Sequence, residues 1–234
     1  MFKIGRRSIG DKFKPLIVCE LGINHRGSLK IAKEMVNTAY KAGAEAIKNQ
    51  CHILDEEMIG EADKVKPTNA KKSIYKVIKE NLMNFRDEIK LKKYVESKGM
   101  IYLSTPFSLK AAKKLNKIGI KAFKIGSGEC NNIPLLEKIV QFKKPIILST
   151  GMNDLDSIKK SVKVIEKSGV SYALLHCKSE YPADNKGLKL DFINKLKKTF
   201  PKSIVGYSDH SVGIIPSISA MAKGACILEK HFTD

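Results

Sequence analysis

The sequence predicts an α/β fold, a (β/α)8 TIM barrel preceded by a short N-terminal hairpin arm. Eight short apolar runs alternate with amphipathic segments of helical periodicity, and this alternation is typical of a parallel sheet. The length of 234 residues fits one barrel domain. A doubly wound open sheet is the alternative, but the first strand-to-helix turn lacks the Gly-x-Gly-x-x-Gly pattern.

The arm is predicted over residues 1–15 and the barrel over residues 16–234. The eight predicted strands are Leu16–Glu20, Ala46–Gln50, Met100–Ser104, Ala122–Ile125, Pro145–Ser149, Tyr172–His176, Ser203–Gly206 and Ala225–Glu229. Periodic apolar positions predict helices over Leu29–Lys41 and Ser157–Lys167. The long connection 51–84 is predicted to be a lid or binding loop, with a surface insertion as the alternative.

Composition limits the partners and the compartment. The formal charge is +19, yet the lysines lie mostly on predicted helix faces and no basic segment is interleaved with aromatic residues. This pattern favours a solvated basic surface over nucleic-acid binding. The five cysteines are scattered without a Cys-x-x-Cys pair, and no signal peptide or membrane-length apolar run is present. We therefore expect a cytoplasmic protein without a membrane or nucleic-acid partner.

Polar residues collect where the predicted strands end, which is where barrel active sites lie. All five histidines fall at or just after such an end: His25, His52, His176, His210 and His231. Other polar residues share this position: Glu20, Lys48, Gln50, Thr105, Lys124, Ser127, Glu129, Ser179, Tyr181 and Asp209. A single histidine is more often a hydrogen-bonded structural residue. The joint placement of five histidines, however, predicts a functional site at the C-terminal ends of the strands.

The fourth strand carries the clearest candidate site. Lys124 is a cation inside an apolar run, and Ser127 and Glu129 follow within a Gly-Ser-Gly-Glu turn. Glycines let backbone N–H groups approach a ligand, so the segment predicts a seat for a small anion with a carboxylate beside it. The alternative is a strand-to-helix turn with a snorkelling lysine.

His210 and His231 end the last two strands. Neighbouring strands lie about 4.8 Å apart, so the two imidazoles are placed to share one ion and to leave coordination positions open. The residues alone leave a metal site and a structural pair equally open.

Several motifs together resemble the sialic acid synthases, and among them the bacterial N-acetylneuraminate synthases most. They are Cys19–His25, Lys48-x-Gln50, Ser104–Phe107, Lys124–Asn132, Ser149–Met152, Ser208–His210 and Glu229–Thr233. The resemblance covers the whole chain. Relatives in this family make legionaminic or pseudaminic acid.

The resemblance implies condensation of phosphoenolpyruvate with N-acetylmannosamine, giving N-acetylneuraminate and phosphate by C–O cleavage. It implies a divalent metal, Mn²⁺ or alternatively Mg²⁺ or Co²⁺, on His210 and His231. It also implies sugar and proton contacts for Glu20 and Glu129. The residues implied to bind the two substrates are Lys48, Thr105, Lys124, Ser127 and Ser179 for phosphoenolpyruvate, and Gln50, Asn69 and Tyr181 for the sugar.

Two departures from the family pattern affect these roles. Ser179 stands where the relatives have Asn, so its shorter hydroxyl is expected to reach phosphate only through water. Ala183-Asp184 replaces a Thr-Pro pair, which bears on the sugar preference. The alternatives are a synthase of a related nonulosonic acid, another phosphoenolpyruvate–aldose condensation, or a non-catalytic anion-binding barrel.

The last strand lies at the end of this sequence, so eight strands are followed by seven helices. We expect apolar residues such as Ile227 or Leu228 to face water where an eighth helix would pack. The resemblance implies that a C-terminal antifreeze-like domain is absent from this sequence. In the family that domain supplies an arginine to the partner's active site, which implies a homodimer.

Overall fold

The structure is a computed structural model that describes residues 2–66 and 71–233. The strands are β1 Phe2–Ile4, β2 Arg7–Ile9, β3 Leu16–Gly22, β4 Ala46–Cys51, β5 Ile101–Pro106, β6 Phe123–Ile125, β7 Ile146–Ser149, β8 Tyr172–Cys177, β9 Ile204–Asp209 and β10 Ile227–His231. The helices are α1 Leu29–Lys41, α2 Leu54–Glu57, α3 Ile74–Asn81, α4 Phe85–Ser97, α5 Leu109–Lys117, α6 Ile133–Val140, α7 Leu155–Lys167, α8 Phe192–Thr199 and α9 Ile215–Ala222.

The predicted (β/α)8 barrel and its N-terminal hairpin are confirmed. Strands β1 and β2 pair antiparallel, and the other eight strands form one sheet in the order β5-β4-β3-β10-β9-β8-β7-β6. The first and last of these eight, β3 and β10, are neighbours, as barrel topology requires. The recorded registers within this sheet are all parallel.

The chain divides into two compact units. One unit comprises Met1–Val18 and Lys121–His231, and it contains strands β6 to β10 with helices α6 to α9. The other comprises Cys19–Ile120 and Phe232–Asp234, and it contains β4 and β5 with helices α1 to α5. Within the described part of the chain, no helix is both long and apolar enough to cross a lipid bilayer.

The strands run further toward their C-terminal ends than the apolar pattern predicts. Strand β9 continues to Asp209 and β10 continues to His231. Main-chain ladder bonds do not depend on side-chain polarity, so a polar residue extends a strand wherever its side chain finds a buried partner. These extensions carry Thr105, Asp209 and His231.

The long connection after β4 holds regular structure rather than an open loop. Its described residues form α2, a 3-10 turn over Gly60–Lys64, and α3. The Ser73 hydroxyl accepts a hydrogen bond from the Lys76 N–H and so caps the first turn of α3.

The expectation of exposed apolar residues on the last strand is wrong. Ile227 and Leu228 are both buried. Their side chains point to opposite faces of the strand, and both faces are covered by other residues. Four of the exposed apolar side chains lie instead at the start of α9 and just before it: Val212, Ile214, Ile215 and Ile218.

A buried polar network ties α4 to β5. The carboxylate of Glu88 is buried, and it accepts hydrogen bonds from the Tyr102 hydroxyl at 3.0 Å and from the Ser104 hydroxyl at 2.7 Å. Burial raises the pKa of Glu88, although these hydrogen bonds partly oppose the shift.

We predict that this carboxyl makes stability fall as pH rises. The pKa of Glu88 is raised in the folded state, so its contribution is complete below the unfolded value of 4.5 and is lost as pH rises through the folded value. The Glu88→Gln variant should therefore gain unfolding free energy relative to wild type as pH increases. Urea denaturation across this range measures the difference, with exposed Glu34→Gln as the control. Parallel pH profiles for wild type and Glu88→Gln would contradict the prediction.

Candidate active site

The ammonium of Lys124 is buried at the end of β6. Its Nζ donates to Ser149 Oγ at 2.9 Å and to the Ile125 carbonyl at 3.2 Å, and it lies 3.4 Å from Glu229 Oε1. Lys124 is only 1% exposed, so the alternative of a snorkelling lysine is wrong. A buried ammonium needs a counter-charge, and Glu229 supplies it.

Two candidate hydroxyls meet around a glycine in the same unit. Ser127 lies in the 3-10 turn after β6, and its hydroxyl accepts the Gly151 N–H at 3.1 Å. A Cβ atom at Gly151 would lie 2.5 Å from Ser179 Oγ and 2.9 Å from Ser127 Oγ. The loops after β6, β7 and β8 can therefore approach this closely only because residue 151 has no side chain.

Sequence reasoning assigned no role to Ser149 or Glu229, although both lie in the quoted motifs. Glu229 is buried on β10, pairs in register with Ser208 of β9, and accepts a hydrogen bond from its hydroxyl at 3.1 Å. The available signal was the two-residue period, because Glu229 precedes His231 by two positions and therefore faces the same side.

His210 and His231 come together as the strand ends predict. Strand β10 pairs with β9 up to Lys230 opposite Asp209, and the two imidazole centroids lie 5.5 Å apart. The ring of Tyr181 stacks on His210 at 4.1 Å and meets His231 edge-on at 5.6 Å. Three of the predicted residues thus form one aromatic cluster.

The orientation of His210 fits a metal ligand. Its Nδ1 lies 2.8 Å from the Lys178 carbonyl, which can only accept, so Nδ1 carries the hydrogen and Nε2 presents a lone pair. Nε2 lies 3.1 Å from the Tyr181 hydroxyl. Burial raises the pKa of Cys177, so this residue contacts the His210 ring as a neutral thiol. Among the residues that the structure describes, no group of three or more His, Cys, Asp or Glu side chains forms a metal cluster.

Asp209 holds the loops that follow β9 and β10. Its Oδ1 accepts the Ser211 N–H and hydroxyl, and its Oδ2 accepts from the Ser217 hydroxyl and from Lys230. Burial alone would raise the pKa of Asp209, but these hydrogen bonds outweigh it and the pKa is lowered. Asp209 therefore holds the ends of the two strands that lead to His210 and His231, and its own hydrogen bonds go to Ser211, Ser217 and Lys230.

Glu129 is the remaining predicted site residue of this unit. Glu129 is half-buried in the turn after β6, and its Oε2 accepts the Asn132 amide at 2.6 Å. Asn132 also caps α6 by accepting the Leu135 N–H. Asn69 lies outside the described residues.

In the second unit, Glu20 of β3 and Lys48 of β4 form a buried ion pair. Glu20 also accepts the Gly22 N–H through Oε1 at 2.6 Å. Lys48 and Gln50 share one face of β4, and Gln50 Oε1 lies 3.0 Å from His52 Nε2.

Thr105 is the clearest unoccupied donor of the second unit. It is 1% exposed, and its hydroxyl has no hydrogen-bond partner among the residues described. Buried polar groups are normally paired, so an unpaired hydroxyl at a strand end suits a ligand contact.

Two histidines serve the fold rather than this edge. His176 lies inside β8 and its Nε2 donates to the Leu188 carbonyl at 2.6 Å. His25 contacts Asn49 Oδ1 at 3.1 Å and accepts the Gly27 N–H. Burial lowers the pKa of both rings. Hydrogen bonds within the fold therefore account for these two histidines, as is usual for a single histidine near a strand end.

The buried lysine, the clustered hydroxyls and the imidazole pair lie at the C-terminal strand ends, where active sites of (β/α)8 barrels are found. The chain belongs to the NeuB family, whose sequence profile matches residues 35–234. This confirms the resemblance to the sialic acid synthases at the level of the family.

The amino-acid sequence is similar to those of known proteins over nearly the whole chain. It is 40% identical over 232 residues to an uncharacterized protein of Methanocaldococcus jannaschii, covering 99% of this chain and 66% of that protein. It is 39% identical over 227 residues to the N,N'-diacetyllegionaminic acid synthase of Campylobacter jejuni, covering 94% and 68%. The chain therefore spans about two thirds of the length of these relatives.

A solved structure agrees with the fold. The N-acetylneuraminic acid synthetase of Leptospira borgpetersenii, in complex with citrate, superposes with a TM-score of 0.88 at 31% identity. The match covers 99% of this chain and 78% of that one.

We predict that the Thr105 hydroxyl contributes nothing to folding. The Thr105→Val variant should keep or slightly raise the unfolding free energy, because it removes an unpaired buried hydroxyl and keeps the shape. The matched control is the neighbouring Ser104→Ala, which breaks the hydrogen bond to Glu88 and should cost about 1–3 kcal/mol. Urea denaturation measures both. An equal loss in the two variants would show that Thr105 has a partner within the protein.

Proposed function

We propose that this chain is the catalytic barrel of a nonulosonic acid synthase, which condenses phosphoenolpyruvate with an N-acetylated amino sugar and releases phosphate. The observation that carries the proposal is the buried ammonium of Lys124, which donates to the Ser149 hydroxyl. Lys124 lies within the residues that match the NeuB family. An ammonium suits a phosphate or carboxylate as a point charge.

N-Acetylmannosamine is the sugar we propose, and N-acetylneuraminate is the product. The segment Glu129–Asn132 supports this choice through its resemblance to bacterial N-acetylneuraminate synthases. The Campylobacter relative, a legionaminic acid synthase, makes a diacetylated sugar the second candidate.

Lys124 and Ser127 are proposed to bind phosphoenolpyruvate. Ser179 lies at the same glycine as Ser127, so its hydroxyl supports the same ligand directly or through water. In the second unit, Glu20, Lys48, Gln50 and Thr105 keep the substrate-binding roles that the resemblance implies.

His210 and His231 would hold the divalent metal, with Mn²⁺ as the proposed ion. When bound, the ion supplies Lewis-acid polarisation of the sugar aldehyde oxygen. The chain's own contribution is orientation: the Lys178 carbonyl fixes the His210 tautomer, and Tyr181 stacks on the ring.

The proposed bond changes need a base near the sugar and a route for phosphate. Carbon three of phosphoenolpyruvate bonds to the aldehyde carbon, water adds at carbon two, and phosphate leaves with its bridging oxygen. Glu129 is the proposed proton carrier, because the Asn132 amide holds one carboxylate oxygen and leaves the other for substrate.

A panel of amino sugars assayed for phosphate release tests the function. The proposal expects release that requires both phosphoenolpyruvate and one N-acetylated sugar, and bridging heavy oxygen should appear in phosphate. Binding of phosphoenolpyruvate without release for any sugar would favour the non-catalytic anion-binding barrel instead.

We predict that Lys124→Met raises the apparent KM for phosphoenolpyruvate by at least about tenfold. A hydrogen bond to a charged group contributes about 1.5–3 kcal/mol, and tenfold corresponds to about 1.4 kcal/mol. Steady-state kinetics with each substrate varied in turn measures the change. The control is Lys121→Met, which removes the same charge from an exposed position. A change confined to the KM for the sugar would refute the assignment of Lys124 to phosphoenolpyruvate.

We predict that His210→Ala and His231→Ala each bind Mn²⁺ poorly and lose most turnover. Titration calorimetry with Mn²⁺ gives a readout that is independent of activity. His176→Asn is the control, because that imidazole is bonded to the Leu188 carbonyl away from this cluster. Full turnover of metal-stripped protein in excess chelator would exclude the metal.

A further inference from the structure

A buried cluster beside Gln50 has no part in the reaction proposed above. The imidazole of His52 lies with Nδ1 2.7 Å from Glu57 Oε1 and Nε2 3.0 Å from Gln50 Oε1. The Phe107 ring stacks on it at 4.2 Å with an interplanar angle of 8°. The side chains of His52 and Glu57 are each only 4% exposed.

Hydrogen-bond accounting fixes the direction of each contact. The carboxylate of Glu57 is held by α2, because its Oε2 accepts the Ile53 N–H at 3.2 Å. The contact between Nδ1 and Glu57 requires one hydrogen, and the contact between Nε2 and the Gln50 carbonyl oxygen requires another, since that oxygen only accepts. The ring therefore donates from both nitrogens.

This arrangement determines what Gln50 offers to a ligand. Its carbonyl oxygen is occupied by His52, so the side-chain NH₂ group remains as the end available to a ligand. Gln50 is half-buried and shares a strand face with Lys48, whereas His52 and Glu57 lie behind it. A fixed amide presents donors only.

We propose that His52 and Glu57 are positioning residues that hold the Gln50 amide in one orientation, so that it donates to an uncharged oxygen of the amino sugar. This inference rests on the proposed function for the identity of the ligand. It makes the pair a determinant of sugar recognition: sugars with a carbonyl or hydroxyl acceptor at this place are favoured over sugars that present only a donor.

Removing the polar group at position 57 should release the amide. In Glu57→Leu a neutral imidazole carries its one hydrogen on either nitrogen, so the Gln50 NH₂ can turn toward Nε2 and the carbonyl toward the ligand. Glu57→Gln is not equivalent, because the Ile53 N–H holds the amide oxygen and the NH₂ then faces Nδ1, which keeps the Nε2 hydrogen on Gln50.

Kinetics of Glu57→Leu test the proposal. The variant should raise the KM for the sugar up to about tenfold, as expected when one hydrogen bond is misdirected, and leave the KM for phosphoenolpyruvate unchanged. The matched control is Glu56→Leu, which removes the same charge from the same helix at an exposed position paired with Lys110 at 2.9 Å. Equal effects in the two variants would overturn the proposal.

A double-mutant cycle distinguishes positioning from general structural support. In a Gln50→Ala background, Glu57→Leu should add no further change in the sugar's KM, because the amide through which it acts is gone. Additive penalties would overturn the proposal. If Glu57→Leu unfolds, the ring spectrum of the wild-type protein still decides the hydrogen-bond assignment.

Nitrogen NMR of the His52 ring tests the hydrogen-bond assignment without turnover. Both ring nitrogens should carry hydrogen in the wild-type protein, and only one should in Glu57→Leu. A wild-type ring with a single N–H would overturn the proposal. Because this spectrum needs no substrate, a protein that condenses no amino sugar would refute the proposed function while the positioning of Gln50 is still decided.

Discussion

Burial of ammonium groups at strand ends is the constraint on which the candidate site depends. An unpaired buried charge costs several kcal/mol even after relaxation, so each buried lysine requires a carboxylate. Glu229 meets Lys124 in one unit, and Glu20 meets Lys48 in the other. An anionic ligand at Lys124 would share or replace a counter-charge that already exists, so its arrival does not have to overcome the burial of a bare ion.

The hydroxyls of the anion seat depend on backbone packing. Gly151 lets the Ser127 and Ser179 loops close on one another, and Asn153 fastens the same turn by donating to the Ser127 carbonyl at 2.9 Å. Ser179, which departs from the family pattern, is therefore part of this packing as well as a candidate contact. A side chain at residue 151 would have to displace one of these two loops.

The histidine cluster and the Gln50 cluster follow the same principle. Each places a polar group behind the side chain that faces the ligand: the Lys178 carbonyl behind His210, and His52 with Glu57 behind Gln50. Such groups fix a tautomer or an amide orientation, which a flexible side chain alone does not. In both places the proposed ligand contact is oriented by residues that are not themselves proposed to touch the ligand.

The sequence by itself determined the barrel and the strand-end placement of Lys124, His210 and His231, because apolar period and chain direction send these residues to one edge of a parallel sheet. The sequence also indicated that Gln50 and Tyr181 lie at strand ends. Only the tertiary structure decided that Glu229 neutralises Lys124, that His176 turns to a loop carbonyl, and that Leu228 is buried. These depend on contacts between residues far apart in the chain, which local period and composition do not encode.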